Sequence, residues 1–193
     1  MPQIRLVVLA SGSGTLFQAL IDEQKTHQAQ IVGLVTDVPC KAIDRAKAAG
    51  IHVTTVAIEN DRNVWDKKLS DAIESLNPDL VVSAGFMRIL GPAVLEKFEG
   101  KIINTHPALL PHFPGAHAVK DALAAGAKET GSTIHYVDAG VDTGEVIAQE
   151  AIAILPTDTQ DSLHERIKQV ERKLLVRVVG DFVSGKISPR ARS

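Results

Sequence analysis

The sequence IRLVVLA at residues 4–10, followed directly by SGSGT at residues 11–15, decides the fold. The first segment is a short, nearly continuous apolar run, which is typical of a strand buried on both faces of a parallel sheet. Small residues then form a loop, and a helical pattern begins at Leu16. A strand, a glycine-rich loop and a helix in this order indicate the start of an α/β unit.

The same alternation continues along the chain. Strands are predicted at residues 4–10, 31–36, 52–56, 79–84, 101–106, 132–137 and 145–152. Helices are predicted at residues 16–24, 41–49, 63–76, 92–97, 118–125 and 159–183, the last with Thr157 or Asp158 as N-cap. A turn separates the last two strands, so we expect them to pair antiparallel. We therefore predict an α/β, Rossmann-like fold: a mostly parallel twisted sheet of about seven strands, with helices on both faces and a long C-terminal helix.

Length and composition exclude several classes of protein. The chain has 193 residues, of which 45% are hydrophobic and 23% are charged, as in ordinary globular proteins. Cys40 is the only cysteine, so a disulfide framework is impossible and a reducing cytoplasm is expected. The net charge of −2 and the 4% aromatic content do not indicate a nucleic-acid partner. No apolar run has the length of a membrane span or of a signal-peptide core, so no membrane partner is expected.

The loop at residues 12–15 is a possible anion site. Backbone N–H groups at the start of a helix converge on one place, and the helix dipole adds partial positive charge there. The loop lacks the Gly-Lys-Ser/Thr of a Walker motif, and Phe17 stands where G-x-G-x-x-G would need its third glycine. Asp37 is the only acid placed to bind a ribose after the second strand. The pattern therefore favours a phosphate site over a dinucleotide site; the alternative is that the glycines only form a tight turn.

A polar pair ends the fifth predicted strand. In NTHPALLP at residues 104–111, Asn104 and His106 are two positions apart and face the same side of the strand. In open α/β sheets, ligands bind at the carboxyl ends of the strands. An amide and an imidazole side by side can stabilise an oxyanion and transfer a proton. The alternative is a hydrogen-bonded Asn and His within the core.

Three motifs in fixed order indicate a family. They are AGFMRIL at residues 84–90, NTHPALLP at residues 104–111 with Pro114-Gly115, and VDTG at residues 141–144. From Ile4 to about Val183, the sequence resembles the folate-dependent glycinamide ribonucleotide formyltransferases of purine biosynthesis. The resemblance implies transfer of a formyl group from 10-formyltetrahydrofolate to the primary amine of glycinamide ribonucleotide.

The resemblance also implies which residues form the site. The catalytic trio falls on Asn104, His106 and Asp142. Substrate contacts fall on Gly14, Thr15, Leu16 and Glu171. The family often has Asn at the position of Leu16, so only the backbone N–H is expected to serve there. Folate contacts fall on Arg62, Met87, Arg88, Ile89, Leu90, Asn104, Asp138, Ala139, Gly140, Val141 and Asp142.

From the same resemblance we expect one formyltransferase domain at residues 1–187. Residues 188–193 at the chain end are expected to form a disordered tail. The phosphate-binding half of the domain is residues 1–100, and its catalytic and folate-binding half is residues 101–187. Glycinamide ribonucleotide and 10-formyltetrahydrofolate are the expected partners of a cytoplasmic monomer or homodimer. No metal is expected, because the spacing of His106, His112 and His117 is not that of a metal motif. His117 and His135 match histidines of the family pattern, and each either supports the site or packs in the core.

Two kinds of rival function remain, and the first is another enzyme of the folate-formyl superfamily. Methionyl-tRNA formyltransferase shares the trio but carries an added C-terminal domain, and formyltetrahydrofolate hydrolase carries an added N-terminal domain. A chain of 193 residues has room for neither, so neither is expected. The second rival is a non-catalytic nucleotide- or folate-binding module on the same scaffold, since a fold does not establish a chemistry. The intact trio argues against this second rival.

Overall fold

The computed structural model describes residues 3–27 and 29–190. The strands are β1 (Ile4–Leu9), β2 (Ala29–Thr36), β3 (Val53–Thr55), β4 (Leu80–Ser83), β5 (Ile102–His106), β6 (Glu129–Tyr136) and β7 (Val146–Ala153). The helices are α1 (Thr15–His27), α2 (Lys41–Ala48), α3 (Arg62–Glu74), α4 (Pro92–Lys97), α5 (Ala118–Ala124) and α6 (Gln160–Val183). Each corresponds to an element predicted from the sequence, with ends that differ by a few residues.

The strands form one seven-stranded sheet in the order β3-β2-β1-β4-β5-β6-β7. Strands β1 to β5 pair parallel to one another. The β5–β6 and β6–β7 pairs are antiparallel. The mostly parallel α/β sheet and the antiparallel final pair are therefore confirmed.

Helices cover both faces of the sheet, as expected from its continuous apolar strands. Val8 and Val82 belong to a core that includes α1 and α6. Their chain neighbours Val7 and Val81 belong to a second core that includes α3 and α4. Successive side chains of a strand point to opposite faces, so a central strand covered on both sides must be apolar throughout.

The start of α6 differs from the prediction. Its N-cap is Thr159, whose side chain accepts a hydrogen bond from the Ser162 backbone N–H, while the Ser162 hydroxyl lies 2.9 Å from the Thr159 backbone nitrogen. This reciprocal capping box begins the helix at Gln160, so the expectation of Thr157 or Asp158 as N-cap is wrong. Asp158 instead accepts from the backbone N–H of Leu155.

The end of the described chain lies against the sheet. The Tyr136 hydroxyl donates to the Ser188 carbonyl at 3.0 Å, and the Arg190 backbone N–H donates to the Gly100 carbonyl at 3.0 Å. The Arg190 guanidinium also lies 5.0 Å from the centre of the Tyr136 ring. Ser188 and Arg190 belong to the segment predicted to be a disordered tail, and residues 191–193 of that segment lie outside the described residues.

The strand order places the loops that follow β1 and β4 side by side. Strand β1 pairs with β2 on one side and with β4 on the other, so chain connections leave it in opposite directions. Such a switch point opens a crevice at the carboxyl ends of the strands. Here the Ser11 backbone N–H donates to the Gly85 carbonyl at 3.0 Å, which joins the two loops directly. No helix in the described part of the chain is both long and apolar enough to span a membrane.

Candidate active site

The predicted trio converges at the carboxyl end of β5. Asn104 and His106 lie on that strand, and Asp142 lies in the loop between β6 and β7. His106 Nδ1 is 3.2 Å from Asp142 Oδ2. Asn104 reaches the same carboxylate through a further residue, His135, whose Nε2 is 3.2 Å from Asn104 Nδ2 and 3.5 Å from Asp142 Oδ1.

The His106 ring is held at both nitrogens. Nε2 lies 2.8 Å from the Phe113 carbonyl, and because a carbonyl only accepts, Nε2 carries a proton. A proton added to the ring therefore goes to Nδ1, which faces the Asp142 carboxylate. Burial lowers the pKa of His106 below its ordinary value of 6.5, while the Phe113 carbonyl and the charge of Asp142 oppose that shift.

Asp142 is held as a carboxylate. Contact with His135 is the largest cause that lowers its pKa, and the Gly115 N–H, which donates to Oδ2 at 2.8 Å, and the charge of His106 lower it further. Burial acts in the opposite direction and is outweighed. The backbone of Asp142 has a φ of 54°, in the left-handed region that few residues other than glycine and Asn or Asp adopt. The loop is thus bent so that the carboxylate points back towards β5.

His135 is a site residue that the prediction left undecided between support and packing. It lies directly opposite Asn104 in the β5–β6 register. Its Nδ1 donates to the Tyr136 carbonyl at 2.8 Å, which leaves Nε2 facing both the Asn104 amide and the Asp142 carboxylate. The structure therefore supports the first alternative, because His135 orients the Asn104 amide and contacts Asp142. His117 is exposed at the start of α5, and no hydrogen bond among the described residues joins it to the trio.

The loop after β1 has the form expected of an anion site. Gly14 has a φ of 68° and packs so tightly that a Cβ would lie 2.8 Å from Ala42. The helix begins at Thr15, and its first bond runs from the Gln18 N–H to the Gly14 carbonyl. The Leu16 side chain is buried in the core, so its backbone N–H is the group left to face a ligand.

The predicted folate segment has two exposed apolar side chains. Met87 is 73% exposed and Ile89 is 65% exposed, whereas Leu90 is buried. Arg62 donates to the Ile89 carbonyl at 2.7 Å, and its guanidinium lies 4.4 Å from the centre of the Trp65 ring. Arg62 therefore contacts this segment through the backbone carbonyl of Ile89.

Arg88 and Asp37 bind each other. Arg88 Nε donates to Asp37 Oδ2 at 2.6 Å, and the Ser11 hydroxyl donates to Asp37 Oδ1 at 2.6 Å. Asp37 is buried, and both of its oxygens are used within the protein. This arrangement agrees with the preference for a phosphate site over a dinucleotide site, because Asp37 does not project as a ribose ligand.

The loop before Asp142 is closed by its own side chains. Asp138 Oδ1 accepts from the Gly140 N–H at 3.0 Å and from the Thr143 hydroxyl at 2.6 Å. Val141 is exposed, and Ala139 lies between these contacts. A cavity of about 410 Å³ lies behind the loop, lined by Leu95, Glu96, Glu99, Gly100, Tyr136, Val137, Asp138, Ala139, Gly144, Glu145 and Arg190. The cavity reaches the 138–142 loop but does not include the segment 87–90.

Glu171 lies on the other face of β5. It is buried on α6 and hydrogen-bonded to Thr105, whose side chain alternates with those of Asn104 and His106. Burial raises its pKa from 4.5 to about 7, against the lowering effects of Thr105, Lys168 and Arg172. A carboxyl group that is half ionised near neutral pH can accept from, or donate to, an amide-bearing ligand.

Asn104, His106 and Asp142 are suited to a reaction that develops an oxyanion and transfers a proton. Asn104 offers an amide donor and His106 an exchangeable proton, beside a carboxylate that stabilises the protonated ring. Donors of this kind suit a reaction in which negative charge develops on a carbonyl oxygen and a proton moves between nitrogens. No group of three or more His, Cys, Asp or Glu within residues 3–27 and 29–190 has the arrangement of a metal site.

Known proteins are similar to this chain in sequence and in fold. A family model described as formyl transferase matches residues 4–179. A phosphoribosylglycinamide formyltransferase of Mycobacterium tuberculosis is 51% identical over 178 residues, which cover 91% of this chain and 83% of that protein. One of Bacillus subtilis is 38% identical over 182 residues, which cover 91% and 92% of the two chains. The crystal structure of glycinamide ribonucleotide transformylase 1 from Symbiobacterium toebii superposes with a TM-score of 0.93 at 34% identity, covering 98% of this chain and 92% of that one.

Proposed function

This chain belongs to the formyl transferase family, and from that premise we propose that it is a phosphoribosylglycinamide formyltransferase. It transfers the formyl group of 10-formyltetrahydrofolate to the primary amine of glycinamide ribonucleotide. The products are formylglycinamide ribonucleotide and tetrahydrofolate, in the biosynthesis of purines. The names of its relatives support this reaction, and so does the meeting of Asn104, His106 and Asp142 at one strand end.

The trio has a role at each stage of the transfer. The amine nitrogen attacks the formyl carbon, a C–N bond forms, and negative charge develops on the formyl oxygen. The Asn104 amide donates to that oxygen, and the Nδ1–H of protonated His106, which faces Asp142, is the ring proton that reaches it. The amine then loses one proton, N10 of the folate gains one, and the bond from N10 to the formyl carbon breaks. Asp142 holds His106 in place and favours its charged form while the proton moves.

The loop after β1 binds the phosphate of the ribonucleotide. The backbone N–H groups of Thr15 and Leu16 and the turn at Gly14 supply hydrogen-bond donors at the positive end of α1. The family resemblance assigns Glu171 to the glycinamide part, and its carboxyl group is buried beside Thr105 near the end of β5. The first half of the domain, residues 1–100, thus holds the phosphate.

The second half, residues 101–187, supplies the catalytic trio and the 138–142 loop of the folate site, and the first half adds the segment 87–90. Met87, Ile89 and Val141 expose apolar side chains on the loops that follow β4 and β6, and a flat ring system is a suitable ligand for such side chains. Backbone groups of Arg88, Leu90, Asp138, Ala139 and Gly140 line the same site, and Arg62 supports it. The partners of this cytoplasmic monomer or homodimer are its two small-molecule substrates.

The observation that carries the proposal is the 3.2 Å approach of His106 to Asp142 beside Asn104. The test is to mix purified protein with 10-formyltetrahydrofolate and to follow tetrahydrofolate by absorbance, with and without glycinamide ribonucleotide. Release that requires the ribonucleotide, with formylated product detected by mass, is the expected result. Release without the amine would indicate a hydrolase, and tight binding without release would indicate a non-catalytic module; either result would contradict the proposal.

A further inference from the structure

One buried carboxylate connects the two binding segments of the site. Asp37 lies directly after β2, and its side chain is 1% exposed. One oxygen accepts from the Ser11 hydroxyl and the other from Arg88 Nε, each at 2.6 Å. The same Ser11 hydroxyl accepts from the Met87 backbone N–H at 2.9 Å. Asp37 therefore contacts the start of the phosphate loop and the start of the folate segment at once.

The backbone continues this connection. The Ser11 N–H donates to the Gly85 carbonyl, so Ser11 is bonded to the β4 loop through its main chain and through its side chain. Met87 and Ile89 have exposed side chains, so apolar burial anchors this segment only at Phe86 and Leu90 and not between them. Short charge-assisted bonds to a buried carboxylate are stronger than neutral ones and are directional. They are well suited to set the distance between the two loops.

We propose that Asp37 is a positioning residue that fixes residues 11–15 and 87–90 relative to each other, and so sets the spacing between the bound ribonucleotide and the bound folate. The proposal rests on the proposed formyl transfer. Asp37 touches neither substrate. It acts through Ser11 and Arg88, so its loss changes how well the substrates are held and leaves the trio itself intact.

The test is Asp37→Asn, with Asp158→Asn as a matched control. The amide oxygen of the Asp37→Asn variant still accepts from Ser11, but its NH₂ group faces Arg88 Nε–H, so two donors meet and the ion pair is lost. Asp158 is the same kind of residue elsewhere: its side chain is 4% exposed and paired at 2.6 Å with Arg166, 34% exposed, compared with 35% for Arg88. None of its hydrogen bonds within the described chain reaches either binding segment.

We expect Asp37→Asn to raise KM for both substrates by about tenfold while kcat stays within about threefold. Asp158→Asn should lower the melting temperature by about as much as Asp37→Asn does, but should leave both KM values within about twofold. Ser11→Ala, which removes the hydroxyl bridge and keeps every charge, should raise both KM values in the same direction. If Asp37→Asn does not fold, Ser11→Ala still tests whether the bridge through Asp37 positions the two segments.

A second readout does not depend on activity. Amide hydrogen exchange at Ser11 and Met87 should be faster by about tenfold in Asp37→Asn and unchanged in Asp158→Asn. If the wild-type protein transfers no formyl group, the proposed function fails, and the exchange experiment still tests the positioning role. Unchanged exchange at both amides, a change in only one of the two KM values, or an equal rise of both KM values in Asp158→Asn would overturn the proposal.

Discussion

His106 Nδ1 lies 3.2 Å from Asp142 Oδ2, although one residue ends a strand and the other lies in a loop that comes after the next strand. The other ring nitrogen donates to the Phe113 carbonyl, so the ring cannot rotate without losing both contacts. This relationship makes the Nδ1 position the place where a proton enters and leaves. It also determines what should follow from changing each residue around it.

Replacing His106 by Ala should lower turnover by about 10²–10⁴-fold, because proton transfer by a positioned side chain contributes that much. Binding of glycinamide ribonucleotide should change little, since Gly14, Thr15 and Glu171 remain. The measurement is kcat and KM for both substrates in the formyl-transfer assay. His112→Ala, at an exposed histidine in the following loop, is the control and should behave like the wild type. Near-normal turnover in His106→Ala would exclude the role given to this ring.

Replacing Asp142 by Asn should move the His106 limb of the pH–rate profile to lower pH. The carboxylate raises the pKa of His106 against the lowering effect of burial, so its removal lets the pKa fall further. The protonated ring is then lost at a lower pH. The rate profile and an NMR titration of the His106 ring should show the same shift. Asp71→Asn, at an exposed site on α3, should shift neither, and an unmoved limb in Asp142→Asn would contradict the prediction.

Replacing Glu171 by Gln should change how stability depends on pH. The folded-state pKa of Glu171 is raised from 4.5 to about 7, so the folded protein binds the proton more tightly than the unfolded chain does. Its favourable contribution is therefore complete below pH 4.5 and is lost as the pH rises towards 7, by up to about 3 kcal/mol. Urea unfolding of both proteins at several pH values should show the Gln variant gaining stability relative to the wild type across that range. A constant difference would mean that Glu171 has an ordinary pKa.

The same substitution tests the substrate contact. Ionisation of Glu171 near neutral pH should make KM for glycinamide ribonucleotide depend on pH, and Gln should remove that dependence. KM for 10-formyltetrahydrofolate should keep its wild-type pH profile. If both profiles are unchanged in the variant, Glu171 has a structural role only.

Replacing Gly14 by Ala should raise KM for the ribonucleotide and lower stability. A φ of 68° is strained for Ala by about 1–2 kcal/mol, and its Cβ would also lie 2.8 Å from Ala42. Gly185→Ala is a matched control, because its φ of 74° imposes the same strain and no described atom lies within 4 Å of the added Cβ. Both variants should melt at lower temperature, and only Gly14→Ala should bind the ribonucleotide less tightly by calorimetry. Equal binding by both variants would show that the loop does not hold the phosphate.

The sequence by itself determined the buried strands of the sheet and the position of Asn104 and His106 at the end of one of them. Continuous apolar runs such as residues 4–10 are sufficient to predict strands buried on both faces, because burial depends on composition and period. The alternation of side chains likewise placed Asn104 and His106 on one face, since residues two apart on a strand must lie together. The N-cap of α6 was predicted wrongly, because Asp158, Thr159 and the residues beside them can all cap and only the backbone path selects one.

Tertiary structure decided everything that joins distant parts of the chain. Local periodicity carries no information on which loops meet. The family resemblance placed Asp142 in the trio, but the sheet order and register produce its contact with His106 and that of His135 with Asn104. Asp37 shows the difference most clearly. In the sequence it is a lone acid after a strand, whereas in the fold it is buried between Ser11 and Arg88. A buried charge needs partners, and its partners here come from two other strand ends that only the folded sheet brings within hydrogen-bond distance.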